Sequence, residues 1–152
     1  MNTYLYQESY KNILENFPHR FTLIGISNSG KSYWARKLEG KGYKYFHLDL
    51  EGDGSRSLIQ ELNKMAEYEK VVIDTTENFL NINSELLSQL QRLTKIILLD
   101  IPESIQKGMS YPKLLQKKDA YKKYADITLN YYLLRSKNFS TENFINIISG
   151  NF

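Results

Sequence analysis

Eight consecutive residues, Gly25-Ile26-Ser27-Asn28-Ser29-Gly30-Lys31-Ser32, satisfy the spacing G-x-x-x-x-G-K-[ST] in full. Those residue types suit one task, holding a chain of phosphates. Glycines let the backbone turn N–H groups toward an anion where a Cβ would block the approach, and a helix starting just after them adds its partial positive charge. In such a loop Lys31 reaches the terminal phosphates and the Ser32 hydroxyl joins the shell of a Mg²⁺ ion. The cradle is expected around the amides of Ser29 and Gly30, with Gly25, Asn28 and Tyr33 completing the nucleotide-contacting set. The bare pattern arises by chance in on the order of one chain of this length per several hundred. Its flanks lower that further: Phe21-Thr22-Leu23-Ile24 reads as a buried strand, and Tyr33 to Leu38 as the first turns of a helix.

Carboxylates follow other apolar runs. Asp74 closes Val71-Val72-Ile73, where an acidic side chain beside a phosphate loop holds Mg²⁺ through water; the rival reading is a cap for the loop beginning at Thr75. Asp100 ends Ile96–Leu99 in a similar way, but Ile101-Pro102 continues that run as an exit, which ranks it second. Asp49 and Glu51 follow Tyr45–Leu48 with one residue between them, so they point the same way if strand geometry persists. That spacing suits a metal or general-base role for Asp49 and a substrate contact for Glu51; the rival reading is a solvated acidic loop, Glu51-Gly52-Asp53-Gly54. Basic residues from Lys107 to Lys113, with Lys117 and Lys118, fit a cationic lid over a transferring phosphoryl group, or simply a solvated helix face. His19 and His47 read as packed or surface histidines, Trp34 as core, and most of the twelve tyrosines as half-buried packing.

The elements that must position these groups are legible as alternating short and long periods. Strands are expected at Phe21–Ile24, Tyr45–Leu48, Val71–Ile73, Ile96–Leu99 and Ile127–Leu129. Helical patterns lie at Ser9–Asn16, Lys31–Leu38, Ser57–Tyr68, Ser84–Leu93, Pro112–Tyr124 and Thr141–Ile148. In the third of these, Leu58, Ile59, Leu62 and Met65 share one face. Alternation of this kind makes β-α-β units, and right-handed crossovers then make an α/β fold: a three-layer α/β/α sandwich with a five-stranded parallel sheet. Ligands of such sheets bind beyond the carboxyl ends of the strands, where the loop and the carboxylates lie.

Length and composition narrow the class. The 152 residues suffice for one compact domain, 1–152, with a short lid region at about 103–118. A formal charge of +3, with basic residues scattered, is too weak a footprint for nucleic acid. No cysteine is present, so thiolate metal sites and disulfides are excluded. No apolar run approaches the ~20 residues of a membrane span, and the N-terminus lacks the apolar stretch of a signal peptide, so a cytoplasmic protein is expected. Monomer and homodimer are both compatible with the chain.

With these pieces placed, the chain resembles the shikimate kinase-like branch of the P-loop small-molecule and nucleoside-monophosphate kinases, as a divergent member. The resemblance spans roughly Phe21 to Leu129. It rests on Gly25–Ser32, on Phe46-His47-Leu48-Asp49-Leu50-Glu51, and on Tyr111-Pro112-Lys113 with Lys118-Asp119-Ala120-Tyr121 and Tyr124-Ala125-Asp126-Ile127. It implies ATP and Mg²⁺ as cofactors, a small-molecule phosphoryl acceptor, Lys31 and Asp49 as catalytic groups, and Glu51 and Lys118 on the acceptor. Two departures matter. The triple-glycine turn that contacts the acceptor in shikimate kinases is here Asp74-Thr75-Thr76-Glu77, and the acceptor-binding arginine is Lys118. Arginine is also missing between Arg92 and Arg135, so the region has no bidentate clamp. The resemblance therefore implies a phosphotransferase whose acceptor is not shikimate. The alternative is a nucleotide-binding regulatory module with little or no catalysis. A GTP switch fits poorly, because Asn130-Tyr131-Tyr132-Leu133 is no guanine-recognition motif.

Overall fold

The computed structural model describes residues 19–26, 29–48, 64, 67–75, 84–100 and 119–150. Five strands form one parallel sheet in the order β2-β3-β1-β4-β5: β1 is Arg20–Ile24, β2 Lys44–Leu48, β3 Val71–Thr75, β4 Lys95–Asp100 and β5 Ile127–Asn130. Each expected strand is present, and each runs one or two residues further than its apolar core. The extension has a simple cause: β-branched and aliphatic runs specify burial, whereas ladder hydrogen bonds continue into the flanking polar residues. Thus Asp74 and Thr75 lie inside β3, paired with His47 and Leu48 of β2, rather than past its end.

Side-chain alternation divides the core into two layers. Phe21, Leu23, Val72, Ile97, Leu99, Ile127 and Leu129 pack on one face, beneath helices α1 (Lys31–Glu39) and α4 (Thr141–Ile148). Ile24, Val71, Ile73, Ile96 and Leu98 face the other way, against Leu90 of α2 (Ser84–Leu93) and against Tyr121 from the helical residues 119–124. Two helical layers around one sheet give the three-layer sandwich that the alternation implies.

Helix α1 forms because Trp34, Ala35 and Leu38 fall on one stripe with Lys31, and all four are buried. Trp34 stacks on Phe144 of α4 at 4.4 Å with the rings 4° from parallel, which ties the two helices into one layer. The helix stops at Gly40, whose N–H bonds the Arg36 carbonyl, and Gly42 then takes φ +94° to turn the chain into β2. Helix α4 opens with a reciprocal cap between Ser140 and Asn143.

Two expectations need correction. A helix running to Tyr68 is not found: Lys64 is helical, but Glu67 N–H closes a turn on the Lys64 carbonyl and the chain leaves the helix. The Tyr68 carbonyl is instead held by Arg20 Nε at 2.9 Å, a long-range bond that no local periodicity encodes. The tyrosines sit half-buried only in part: of the eight described, Tyr45, Tyr124 and Tyr131 are half-buried, Tyr43 and Tyr121 are buried, and Tyr33, Tyr68 and Tyr132 are exposed. A short helix, α3 (Tyr131–Leu134), went unexpected. Its only local signal is Asn130, whose side-chain oxygen caps the Tyr132 N–H at 2.7 Å. The expected helix at Ser9–Asn16 and the lid at 103–118 lie outside the described residues, as does most of the Pro112–Tyr124 pattern.

Candidate nucleotide site

The site grows from the exit of β1. Gly25 has φ +151°, and a Cβ there would lie 2.7 Å from Ser29 Oγ and 2.9 Å from the Leu99 carbonyl oxygen. Only glycine lets the chain cross the end of β4 this closely. Gly30 takes φ +96°, a left-handed conformation that turns the loop into α1. The first intrahelical bond runs from Trp34 N–H to the Gly30 carbonyl at 3.0 Å, so the amides of residues 31–33 have no acceptor within the helix. One expectation shifts here. The Ser29 N–H, expected to face the anion, bonds the Ile26 carbonyl at 3.2 Å inside the loop. The turn needs that bond to close, and spacing alone cannot tell a closing amide from a binding one.

Lys31 is buried along α1, and its ammonium folds back over the loop. It donates to the carbonyls of Gly25 at 2.7 Å and Ile26 at 3.0 Å, with Ser29 Oγ at 3.4 Å. A buried ammonium held on loop carbonyls braces the loop and places a positive charge where phosphate would sit. Ser32 follows on the exposed side of the helix and, with Tyr33, Arg36 and Lys37, lines a surface hollow of about 410 Å³.

On the β2 side, Asp74 is almost wholly buried. Both hydrogen bonds that it makes fall on Oδ2: Tyr45 Oη donates at 2.9 Å and His47 Nδ1–H at 3.2 Å. Burial and the Asp74 hydrogen bond push the Tyr45 phenol up to about 12, so it stays a donor across the working pH range. The His47 side chain is 58% exposed, which makes it a surface histidine with a specific partner. Thr75 Oγ1 donates to the Leu23 carbonyl at 2.8 Å and is thus committed to holding β3 on β1. Asp100, the second-ranked carboxylate, ends β4 opposite Asn130 on the other side of β1.

The donor set suits Mg²⁺, which takes one or two carboxylates and a hydroxyl alongside phosphate oxygens and water rather than an all-protein cage. Among the described residues Oδ1 of Asp74 accepts no hydrogen bond, and Ser32 carries a hydroxyl that would be the second oxygen donor if both reached one ion. Among the described residues no cluster of three or more His, Cys, Asp or Glu that could hold a metal ion is present. Asn28, Asp49, Glu51 and Lys118 lie outside the described residues.

Sequence reasoning missed one part. A cavity of about 410 Å³ opens beside the phosphate loop, between Ser29, Gly30, Tyr33 and Trp34 on one side and Tyr131, Leu134, Arg135, Ser136 and Phe139 on the other. The Arg135 guanidinium lies over the Tyr131 ring at 5.2 Å. Flat aromatic walls next to a phosphate loop suit a nucleobase. These walls come from segments about a hundred residues apart, and no spacing rule relates them. Trp34 is the hinge between core and site: it is buried as expected, yet its edge reaches this cavity.

This fold is that of the P-loop kinases. Among solved structures, the shikimate kinase of Aquifex aeolicus superposes with a TM-score of 0.58 at 20% identity, over 87% of this chain and 97% of its own. The shikimate kinase of Acinetobacter baumannii, solved with shikimate, gives 0.58 at 16% identity over 90% and 97%. That of Bacteroides thetaiotaomicron gives 0.50 at 22% over 86% and 96%. At these identities the likeness is one of fold. No family model matches the chain, and no curated protein matches its sequence. No helix among the described residues is long and apolar enough to cross a membrane.

Proposed function

We propose that this chain binds ATP on Gly25–Ser32 and transfers its terminal phosphoryl group to a hydroxyl of a small molecule other than shikimate. The observation that carries the reading is the Lys31 ammonium seated on the Gly25 and Ile26 carbonyls at the mouth of a helix N-terminus. Lys31 neutralises the phosphate tail, and the helix amides hold its oxygens. The base lies in the cavity walled by Tyr33, Tyr131 and Arg135. Ser32 and Asp74 hold Mg²⁺, with Asp49 as a further ligand or as the base that takes the acceptor's proton. When bound, the ion supplies charge neutralisation across the phosphates. The acceptor oxygen bonds to the terminal phosphorus as the bond to the bridging oxygen breaks, leaving ADP. Glu51 and Lys118 contact the acceptor, beneath a lid at about 103–118. Catalysis of this kind is positioning and electrostatics, so no covalent nucleophile is required. The chain acts as a single cytoplasmic domain in this reading.

Purified protein given Mg-ATP and a panel of hydroxyl-bearing metabolites is expected to release ADP above background, and Lys31→Ala to abolish it. Turnover that survives Lys31→Ala unchanged would overturn the reading. The commitment of Thr75, inside β3, to the Leu23 carbonyl, in the segment that stands in place of the acceptor turn of shikimate kinases, favours a second reading: a nucleotide-binding regulatory module. Tight ATP binding by calorimetry with no turnover on any acceptor would select it.

A further inference from the structure

The carboxylate of Asp74 is held asymmetrically. Tyr45 Oη and His47 Nδ1, both from β2, converge on Oδ2 at 2.9 and 3.2 Å, and among the described residues Oδ1 accepts no hydrogen bond. The pair sits on the face of the sheet that α1 covers, because Tyr45 and His47 alternate with Phe46 and register against Val72 and Asp74. A carboxylate with two donors on one oxygen cannot rotate without breaking both bonds, so the other oxygen is presented in one orientation. Neither donor is needed to bury Asp74 for packing alone: an asparagine or an aliphatic residue at the end of β3 would avoid the cost of a buried charge.

We infer that Tyr45 and His47 are positioning residues that lock Asp74 so that Oδ1 faces the water shell of the nucleotide-bound divalent cation. The inference rests on the nucleotide reading above and deepens it. Outer partners of this kind raise the affinity of the group they hold, and their loss costs 10–100-fold in metal binding. The two donors differ usefully. Tyr45 is half-buried, so Tyr45→Phe removes the hydroxyl and keeps the ring. His47 is exposed, so its replacement leaves the core intact.

The test uses Mn²⁺ as the cation and AMP-PNP as the nucleotide, with free Mn²⁺ read by electron paramagnetic resonance and no turnover required. Wild-type protein is first titrated with AMP-PNP in EDTA, by calorimetry, and then with Mn²⁺ in saturating AMP-PNP. Tyr45→Phe and His47→Ala are expected to weaken Mn²⁺ binding in the ternary complex about tenfold while changing metal-free AMP-PNP affinity less than twofold. His47→Asn, whose amide N–H takes the place of Nδ1–H, should restore most of the loss. Asp74→Asn sets the full effect. Unchanged Mn²⁺ affinity in both variants, with AMP-PNP still bound, overturns the positioning role alone. A wild-type protein that does not take up AMP-PNP overturns the nucleotide reading, and this inference with it.

Discussion

The ammonium of Lys31 lies 2.7 Å from the carbonyl oxygen of Gly25, so the first and seventh residues of the G-x-x-x-x-G-K-S segment are joined by a charge-assisted hydrogen bond. The contact closes the loop through the chain's own groups. It also makes the loop's shape depend on Gly25, where the backbone passes too close to Leu99 and Ser29 to admit a side chain.

Gly25→Ala should therefore damage both stability and binding. The new methyl meets a backbone oxygen at 2.9 Å in a backbone conformation that L-residues rarely adopt. A cost of about 2 kcal/mol is expected in urea melts, together with loss of ATP binding at concentrations that saturate the wild type. Wild-type affinity in the alanine variant would show that the loop does not hold the phosphates.

Trp34 is the only tryptophan, and it lies between the core and the aromatic cavity. Its fluorescence should change when ATP is added and stay constant when Lys31→Ala protein is titrated. Because Trp34 stacks on Phe144, Trp34→Ala should cost about 3–5 kcal/mol, measured by chemical denaturation.

In the proposed reading Arg135 and Tyr131 contact the base rather than the phosphates. Arg135→Ala should weaken ATP several-fold, the scale of one cation–π contact, and leave inorganic tripolyphosphate binding unchanged. Equal loss for both ligands would move Arg135 to the phosphate side.

At the opposite pole of the sheet, two buried charges set a pH dependence of stability. Burial pushes the Asp126 carboxyl up to about 6 from 3.8, although its Oδ2 accepts the Ile96 N–H at 2.7 Å; Oδ1 is buried without a partner. The folded state thus binds a proton more tightly than the unfolded chain. Its contribution is full below pH 3.8 and is lost as pH rises through about 6, by roughly 2–3 kcal/mol. Burial lowers Lys95 to about 8 from 10.5, even as Nζ caps the Ile148 carbonyl at 2.7 Å. That contribution has the reverse sign: it is present above pH 10.5 and lost as pH falls through about 8. The wild type is expected to lose stability between pH 4 and 6, and denaturation midpoints of Asp126→Asn should lack that decline.

Much of the architecture follows from local chemistry. Strands β1 to β5 are apolar runs between turn signals, and α1, α2 and α4 carry one apolar face each. A glycine at 25 and another at 30 are demanded by backbone geometry that a short motif encodes, so the turn from β1 into α1 was legible from that motif. Local order also misled at its margins. Tyr68 continues a helical period in sequence, yet Arg20 of β1 captures its carbonyl. Ser29, whose amide the motif assigns to the anion, closes the loop on Ile26 instead.

The amino-acid sequence by itself determined the individual strands and helices, their alternation along the chain, and the glycine turn from β1 into α1, because each depends on residues within about a dozen positions of one another. Tertiary structure alone decided what converges on that loop. Asp74 meets Tyr45 and His47 across the β2–β3 register, and Tyr33 meets Tyr131 and Arg135 across most of the chain length. Such meetings are set by strand order and helix packing, and those are sums over many weak contacts that no short pattern of residues records.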